Sequence, residues 1–403
     1  MKKSLLATLV VLLSVSFTVA QENSIRAATL MQLGKLTASD GLANSEIGRT
    51  LSASGNTVVI SHGTEVYVFA KPSGGWGNST ESARLVASDG TAGFSAAAVS
   101  GNIVAASAIE STTQVGSVYV FVRPAGGWSG TVTESAILSD AGQHCFGTTI
   151  GISGGTIVVG TGMWGAFYFS NCVFVMPAGG WKNATQANAT LSVPINASTT
   201  FVPLAISGNT IVIGVPGNFT GEGTLYVFAK PTAGWSGTLN PSAILIASDA
   251  NLDHELGFEL AISGNTIVAN SVDIINGAGK AYIFVEPFGG WVDMTETAQL
   301  MPPQGSLGFP SSVAIGGNAV MIGAANTTVD FNQLQGAAYV FVKPQGGWKT
   351  TSTSNAELIS SDGAAGDAFG SSVAIGGNNF FVGAPLATVN SNLLEGAAYV
   401  FGK

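Results

Sequence analysis

Residues 67–76 read YVFAKPSGGW, and this phrase recurs along the chain at intervals of about 52 to 60 residues. The other copies are YVFVRPAGGW (119–128), CVFVMPAGGW (172–181), YVFAKPTAGW (226–235), YIFVEPFGGW (282–291), YVFVKPQGGW (339–348) and a truncated YVF (399–401). In each complete copy the apolar run ends at a proline, which cannot donate to a β-ladder, and the glycine that follows tolerates positive φ. The phrase therefore predicts a β-strand, here called strand c, that ends in a tight turn.

A second phrase precedes each copy of the first. It reads SASGNTVVIS at 52–61 and AIGGNNFFVG at 374–383, with five further copies between them. Its Gly-Asn or Gly-Gly step is a two-residue hairpin signal, so the phrase predicts two antiparallel strands, a and b. A looser third phrase, such as ARLVASDG at 83–90, predicts that the segment after the tryptophan is a strand d, followed by a Ser-Asp-Gly turn. Four antiparallel strands in each of seven repeats predict an all-β chain, a seven-bladed β-propeller.

The two ends of the chain complement each other. A lone strand d is predicted near residues 30–38, and a lone a–b–c set lies within residues 369–401. We therefore expect the N-terminal strand to join the last blade and close the ring. Closure removes an open sheet edge, whose unpaired N–H and C=O groups can template aggregation.

Composition limits the possible functions. Only 9% of the 403 residues are charged, and 14 Lys and Arg stand against 23 Asp and Glu, for a net charge of −9. This balance excludes a protein that binds nucleic acid by neutralising phosphates. The plentiful and regularly spaced apolar residues argue against disorder.

The N-terminus has the features of an export signal. Lys2 and Lys3 precede an apolar run, and small residues follow up to Ala20. Residues 1–20 are therefore predicted to be a signal peptide, and residues 21–403 a single propeller domain. We expect a secreted, periplasmic or cell-surface protein with no membrane span after cleavage; a retained N-terminal anchor is the alternative.

Export also permits a disulfide bond. The chain has two cysteines, Cys145 and Cys172. They can form a bridge only if the fold brings their Cα atoms within about 7 Å, which the sequence leaves open.

The aspartate of the Ser-Asp-Gly turn recurs in five repeats. The positions are Asp40, Asp89, Asp140, Asp249 and Asp362. An Asp side chain that accepts a hydrogen bond from a backbone N–H two residues on would stabilise this turn, and a role in ligand binding is the alternative. The densest acidic loops are the candidates for binding a cation, and they contain Asp249, Asp253, Glu255, Asp362 and Asp367.

Aromatic residues and histidines supply the other candidates. The six repeated tryptophans are Trp76, Trp128, Trp181, Trp235, Trp291 and Trp348. Their repetition in phase with the fold favours packing over sugar stacking. Trp164 lies outside the repeat, in a loop of the third blade, and is predicted to contribute to a ligand-binding site with His144 and Tyr168. His62, His144 and His254 fall in connections that emerge on one face, so a shared metal or acid–base site is a further alternative.

The repeats resemble the FG-GAP family, the integrin-α-type β-propeller repeat. The resemblance rests on Phe369-Gly370 before AIGGN and Gly383-Ala384-Pro385 after it, with weaker copies at 146–147, 214–216 and 257–258. It implies a ring whose loops serve extracellular adhesion or ligand binding, often with calcium in loops of the form D-x-D-x-D-G-x-x-D. No loop of this sequence has that pattern, and the a–b hairpin has no carboxylate. The family's calcium ligands therefore match no position here, and no cofactor is predicted.

We therefore predict a secreted, non-catalytic binding or surface-interaction module, monomeric, whose partner is an extracellular protein or a glycan. No Gly-x-Ser-x-Gly elbow, zinc-protease helix or phosphate loop occurs in the context that its chemistry needs. Two alternatives stay open. One is a carbohydrate-active lyase or hydrolase with its site on the face formed by the d–a and b–c loops, and the other is a lectin with one sugar site per blade.

Overall fold

The computed structural model describes residues 29–90, 93–109, 116–140, 147, 149–160, 171–194, 202–216, 221–250, 255–271 and 279–403. These residues form 32 β-strands in seven small sheets, one for each predicted repeat. The predicted all-β, seven-bladed propeller is confirmed. No α-helix occurs in the described residues, and so none that is long and apolar enough to cross a membrane.

The first four blades each contain strands a, b, c and d in that order. Blade one is β2 (Ser52–Ser54), β3 (Thr57–His62), β4 (Glu65–Ala70) and β6 (Ala83–Val86). Blade two is β7 (Phe94–Ser100), β8 (Ile103–Ile109), β9 (Gly116–Val122) and β11 (Ala136–Leu138). Blade three is β12 (Thr149–Ser153), β13 (Thr156–Gly160), β14 (Asn171–Val175) and β15 (Ala189–Leu191). Blade four is β16 (Leu204–Ser207), β17 (Thr210–Val215), β18 (Thr224–Ala229) and β20 (Ala243–Ile246).

The remaining blades follow the same order, except that the last takes its strand d from the other end of the chain. Blade five is β21 (Leu260–Ser263), β22 (Thr266–Ser271), β23 (Lys280–Val285) and β25 (Ala298–Leu300). Blade six is β26 (Ser312–Gly316), β27 (Ala319–Ala324), β28 (Ala337–Val342) and β29 (Ala356–Leu358). Blade seven is β30 (Ser372–Gly376), β31 (Asn379–Ala384), β32 (Ala397–Gly402) and β1 (Met31–Thr37). Each a–b turn uses a glycine in the left-handed region, such as Gly55 at φ 57°, where a side chain would be strained.

The N-terminal strand closes the ring, as predicted. Strand β1 pairs antiparallel with β32 from Met31 opposite Gly402 to Leu36 opposite Ala398. Leu36 is fully buried in the core between blade seven and blade one. The ring is therefore held shut by backbone hydrogen bonds and by burial of apolar side chains.

The predicted extent of strand d needs a correction. The first part of the segment after each tryptophan forms a separate crossover strand, which runs parallel to strand d of the preceding blade. These strands are β5 (Ser79–Thr80), β10 (Gly130–Thr133), β19 (Gly237–Leu239) and β24 (Met294–Thr295). In blades three and six the segment after the tryptophan forms only a single parallel bridge to strand d of the preceding blade. These bridges join Leu138 to Ala184 and Leu300 to Thr351.

Side chains in the crossover segments fix them to the neighbouring blade. The N–H of Lys35 donates to Asn78 Oδ1 at 2.9 Å, and the N–H of Ser39 donates to Glu81 Oε2 at 2.9 Å. Burial would raise the pKa of Glu81, but the hydrogen bonds from Ser39 and Arg84 hold it below its usual value. Adjacent blades are therefore joined by hydrogen bonds as well as by their cores.

The hydrophobic core lies between the blades. Seven clusters of buried residues occur in the described chain, one at each seam between neighbouring blades. The six repeated tryptophans are 4–8% exposed and belong to six of these clusters. Packing, rather than sugar stacking, is therefore their role. Leu30 packs against the seventh cluster, which has no tryptophan.

Candidate functional site

The connections of the propeller emerge on two opposite faces. Because strands a to d alternate in direction, the d–a and b–c connections lie on one face, here called the loop face. The a–b hairpins and the Pro-x-Gly-Gly-Trp turns lie on the other, here called the turn face. Loops on a rigid scaffold are where binding residues concentrate, so the loop face is the candidate functional surface.

Several of the predicted site residues fall outside the described residues. These are Trp164, His144, Tyr168, Asp253, His254 and Cys145. Cys172 is fully buried in β14, and its pairing with Cys145 stays a prediction. His62 ends β3, and its ring stacks near Tyr67 at a centroid distance of 6.3 Å.

Four of the repeated aspartates accept hydrogen bonds from the next blade, a partner that the sequence did not predict. Tyr67 Oη donates to Asp40 Oδ2 at 2.7 Å, and Tyr119 Oη donates to Asp89 Oδ2 at 2.8 Å. Tyr282 Oη donates to Asp249 Oδ1 at 2.9 Å, and Tyr399 forms the same bond with Asp362. In each case strand c of one blade is tied to the d–a turn that follows the previous blade. The predicted bond to a backbone N–H two residues on stays a prediction, because for Asp89 and Asp249 the donor would lie outside the described residues.

Blades three and six each lack one member of this tyrosine–aspartate pair. Blade three has Cys172 where other blades have the tyrosine, and there Asp140 accepts the backbone N–H of Ala187 at 2.9 Å. Blade six has the tyrosine, Tyr339, but no aspartate in the preceding turn. Its hydroxyl is bonded to Glu357 at 3.2 Å. The aspartates therefore serve the seams, and in blades three and six the group whose usual partner is absent is bonded to another one.

The predicted cation candidates are occupied by protein groups. The ammonium of Lys280 forms an ion pair with Asp249, and that of Lys35 lies 2.8 Å from Asp362. Burial would raise the pKa of both carboxyls, but these lysines and the tyrosines hold it below the usual value. Asp367 accepts the N–H of Ala364 at 2.8 Å, and burial raises its pKa. Groups of three or more acidic, His or Cys side chains that could hold a metal ion do not occur among the described residues.

The densest charged cluster lies at the seam between blade seven and blade one. The guanidinium of Arg84 lies 2.8 Å from Glu81, 3.2 Å from Asp40 and 3.3 Å from Glu65. It also stacks over the Tyr67 ring at 5.2 Å, and burial of that tyrosine, together with its bond to Asp40, raises its pKa well above the usual value. Apart from Asp40 Oδ1, which is buried without a hydrogen-bond partner, these groups satisfy one another, so the cluster is a structural joint.

Several exposed apolar side chains lie in another part of the loop face. They belong to the d–a and b–c loops of blades six, seven and one, the loop-face connections that the structure describes most fully, and we call them the apolar loop surface. Its members, with their exposed fractions, are Leu42 (54%), Leu307 (57%), Phe331 (98%), Leu334 (51%), Leu393 (67%) and Leu394 (37%). Contiguous exposed apolar area on a protein surface often marks an interaction site.

Hydrogen bonds hold these loops side by side. The N–H of Leu307 donates to Thr327 Oγ1, and the N–H of Ala368 donates to the carbonyl of Leu334. One blade further, the N–H groups of Asn44 and Glu46 donate to the carbonyls of Leu393 and Leu394, each at 3.0 Å. The six side chains therefore belong to one connected set of loops.

Strained backbone also occurs in these loops, which are the loop-face connections that the structure describes most fully. Every non-glycine residue with positive φ in the described chain lies on the loop face, and all but Glu255 lie in the loops of blades six, seven and one. They are Asn44, Glu46, Glu255, Asp330, Phe331, Leu334, Ala368, Asn390, Ser391 and Leu394. Such conformations cost about 1–3 kcal/mol each and cluster at ligand-binding sites and switch regions. Phe331, with φ 75°, is a bulky apolar residue at the tip of such a turn. It lies outside the repeated phrases, so the search for repeats did not detect it as a candidate binding residue.

Acidic residues outnumber basic ones around this surface. Neither 301–342 nor 350–402 contains a lysine or an arginine, whereas these segments contain five acidic residues, Asp330, Glu357, Asp362, Asp367 and Glu395. Asp330 and Glu357 are exposed, Asp367 and Glu395 are buried, and Asp362 is paired with Lys35. Arg49, whose side chain is 71% exposed, is paired with Glu46. The apolar loop surface thus has a modest acidic excess around it.

A cleft on the turn face is a weaker candidate for a binding site. It has a volume of about 300 Å³ and is lined by Trp348, Thr350, Thr351 and Asn355, among others. Thr350 Oγ1 accepts the N–H of Gln299 at 3.1 Å, and Asn355 Oδ1 accepts the N–H of Val342 at 2.7 Å. These polar groups are used to hold the crossover segment and strand d.

The comparisons with known proteins agree with this fold. Residues 353–401 match the FG-GAP repeat. No curated protein shows significant sequence similarity to the chain. In structure, the chain is similar to one from the "Crystal Structure of Mitotic Checkpoint Complex", with a TM-score of 0.54 and 12% identity over 93% of this chain and 90% of that one. It is also similar to one from "Kuenenia stuttgartiensis Hydrazine Synthase", with a TM-score of 0.49 and 15% identity over 84% of this chain and 92% of that one. At 12% identity the first of these likenesses concerns the fold alone. The chain is a seven-bladed β-propeller that contains a match to the FG-GAP repeat at residues 353–401.

Proposed function

We propose that this FG-GAP-type propeller is a secreted, non-catalytic interaction module that binds an extracellular protein through its apolar loop surface. The observation that carries the proposal is the set of exposed apolar side chains in the described loops of blades six, seven and one. Phe331 and Leu393, the most exposed of them, stand at equivalent loops of blades six and seven.

The energetic argument supports binding. Burying a Phe or Leu side chain contributes about 1.5–3 kcal/mol, so two such residues supply an interaction core of useful size. Phe331, Leu334 and Leu394 have positive φ, a conformation that costs free energy, so the rest of the fold must hold these loops in place. A loop that is already ordered loses less entropy when it binds, which favours affinity.

The charge pattern selects the class of partner. A modest acidic excess disfavours anionic surfaces and favours a protein segment that carries lysine or arginine beside apolar residues. The partner in this proposal is therefore an extended, basic and apolar protein segment. Surrounding acidic groups would increase its association rate and make binding sensitive to salt.

The proposal can be tested with short fluorescent peptides of alternating leucine and lysine. Their binding to the purified protein is measured by fluorescence anisotropy, beside matched peptides of leucine and glutamate and of serine and lysine. We expect the leucine–lysine peptide to bind most tightly. The double variant Phe331→Ser, Leu393→Ser should weaken that binding by about tenfold or more, since about 1.4 kcal/mol corresponds to tenfold.

Phe288 supplies the matched control. It is fully exposed, but it lies in the Pro-Phe-Gly-Gly-Trp turn on the opposite face. The variant Phe288→Ser should bind like the unmodified protein. Equal binding of the leucine–glutamate peptide, or equal loss with Phe288→Ser, would refute the proposal.

The two alternatives from the sequence find less support. A lectin with one sugar site per blade needs accessible tryptophans, and the six repeated ones are buried in the seams. An enzyme site on the loop face would need converging reactive groups. The described aspartates of the d–a connections are instead engaged with tyrosines, lysines and backbone N–H groups.

A further inference from the structure

We propose that the cleft on the turn face of blade six binds a saccharide that carries an acidic group, and that Lys349 recognises the charge of that group. The site is separate from the apolar loop surface. It is one site on one blade, unlike the repeated site that a lectin with one sugar per blade would need. It also does not use the repeated tryptophans as stacking platforms, because they are buried in the seams.

The first observation is the shape and lining of the cleft. Its volume of about 300 Å³ lies at the lower end of the range for small-molecule sites. Its apolar wall includes Leu300, Phe341 and Pro344, and its polar residues belong to the segment 349–355. A sugar ring presents C–H groups on its faces and hydroxyls at its edge, so a cleft with one apolar and one polar wall suits it.

The second observation concerns the polar atoms that the protein leaves free in the cleft. The side-chain oxygens of Thr350, Thr351 and Asn355 each accept a backbone N–H. Because Oδ1 of Asn355 is the acceptor in its bond, Nδ2 is the end of the amide that remains, and it donates to none of the described residues. The acceptors of these three side chains are therefore used, whereas their donors are available. Such a cleft selects a ligand that is rich in acceptors.

The third observation is the charge at the cleft. Lys343 and Lys349 are the only basic residues of segment 281–402, and they flank the turn beside which the cleft opens. Neither ammonium takes part in the ion pairs of the described chain, and no acidic side chain is among the described residues that line the cleft. In a chain with a net charge of −9, unpaired positive charge is thus available here to an anionic group.

The other complete repeats lack this pair of lysines. In blades one to five the residue after the tryptophan is Gly77, Ser129, Lys182, Ser236 or Val292. Blade three shares the lysine at that position, but its strand c is followed by Met176 where blade six has Lys343. In blade five Glu286 stands in place of Lys343. The pair is therefore specific to blade six, and the fold does not require it.

An acidic saccharide is the ligand that suits these groups. The ammonium of Lys349 can pair with a carboxylate or a sulfate, and as a point charge with rotatable donors it does not distinguish the two. The amide of Asn355 and the threonine hydroxyls can donate to the neutral oxygens of the sugar. The shared chemistry is an anionic group on a sugar ring, and the test distinguishes its two sources.

The test is an NMR titration of the purified protein with galacturonate, galactose-6-sulfate, galactose and inorganic sulfate. We expect at least one acidic sugar to bind more tightly than galactose and inorganic sulfate, with shifts centred on residues 341–355. Added salt should weaken that binding, since the charged groups are exposed. The tighter of the two acidic sugars identifies the anionic group. Equal binding of galactose or of inorganic sulfate, or no binding of either acidic sugar, would overturn the proposal.

Two variants copy residues that other blades already use, so they are expected to fold. Lys349→Ser copies Ser129 and Ser236, which follow the tryptophan in blades two and four. Asn355→Ser copies Ser135, whose Oγ accepts the equivalent backbone N–H, so the change keeps the acceptor and removes the amide donor. Each variant should weaken the binding of the acidic sugar by about two- to fivefold, as for one exposed ion pair or one net hydrogen bond.

Lys182→Ser is the matched control. Lys182 is exposed and follows Trp181 as Lys349 follows Trp348, so this variant removes the same charge from the same position of another blade. It should bind the acidic sugar like the unmodified protein. An equal loss with Lys182→Ser, or no loss with either cleft variant, would contradict the assignment. Peptide binding at the loop face is measured separately, so either result leaves the proposed function standing.

Discussion

Ring closure by the N-terminal strand can be measured by comparing two equivalent leucines. Leu36 in β1 faces Ala398 of β32, and Leu85 in β6 faces Val66 of β4, so the two residues occupy the same register position in blades seven and one. Both are fully buried. Truncation of a buried leucine to alanine costs about 2–5 kcal/mol. If β1 is as integral to the ring as β6, Leu36→Ala and Leu85→Ala should lower the free energy of unfolding by similar amounts.

The assay is urea unfolding followed by tryptophan fluorescence and circular dichroism. Against a total stability of about 5–15 kcal/mol, either loss should move the midpoint clearly. A strand that merely adhered to the ring would detach locally before global unfolding, and the effect of Leu36→Ala would then be capped at the small free energy of detachment. A loss below about 0.5 kcal/mol for Leu36→Ala, beside a full loss for Leu85→Ala, would refute the closed ring.

Two further predictions concern pH. Burial raises the pKa of Glu259 from 4.5 to about 7, so the folded state favours the protonated carboxyl. The contribution of this group to the free energy of unfolding is therefore complete below pH 4.5 and is lost as the pH rises to about 7. Glu259→Gln should therefore raise the unfolding free energy above pH 7, by at most about 3 kcal/mol, and change it little in acid; an equal gain at all pH values would contradict this. Burial, followed by the charge of Glu357, raises the pKa of Tyr339 from 10.0 to about 12, so its contribution to stability is lost between these pH values. Tyr339→Phe should lose less stability over that interval than the unmodified protein, and identical curves in urea titrations would show the reasoning to be wrong.

The fold could be predicted because its signals are local and repeated. The Gly-Asn hairpin, the proline that ends strand c and the split last blade each follow from backbone chemistry within a few residues. The crossover strands could not be seen this way, because they are two to four residues long and show no apolar alternation. Their signal was the residue two positions after each tryptophan. It is Asn78, Asn183, Asp293 or Thr350, each of which accepts a backbone N–H of the preceding blade, or Gly130 or Gly237.

The site was less accessible to sequence reasoning. The aspartates were recognised, but their partners lie about 30 residues away, as for Tyr67 and Asp40, across a seam that only the folded ring creates. Cys172 replaces the tyrosine of strand c in one repeat, and this departure was the available sign that the tyrosine of the other repeats has a specific partner. Phe331 and Leu393 were missed because recurrence was the guide, and they lie in loops that differ from one repeat to the next.

The most direct test of the account is to locate a bound leucine–lysine peptide by hydrogen–deuterium exchange. The account predicts slower amide exchange in residues 326–336 and 386–396, with no change in the turn-face segment 286–292. Protection of the turn face, with the loops of blades six and seven unaffected, would contradict the assignment of recognition to the apolar loop surface.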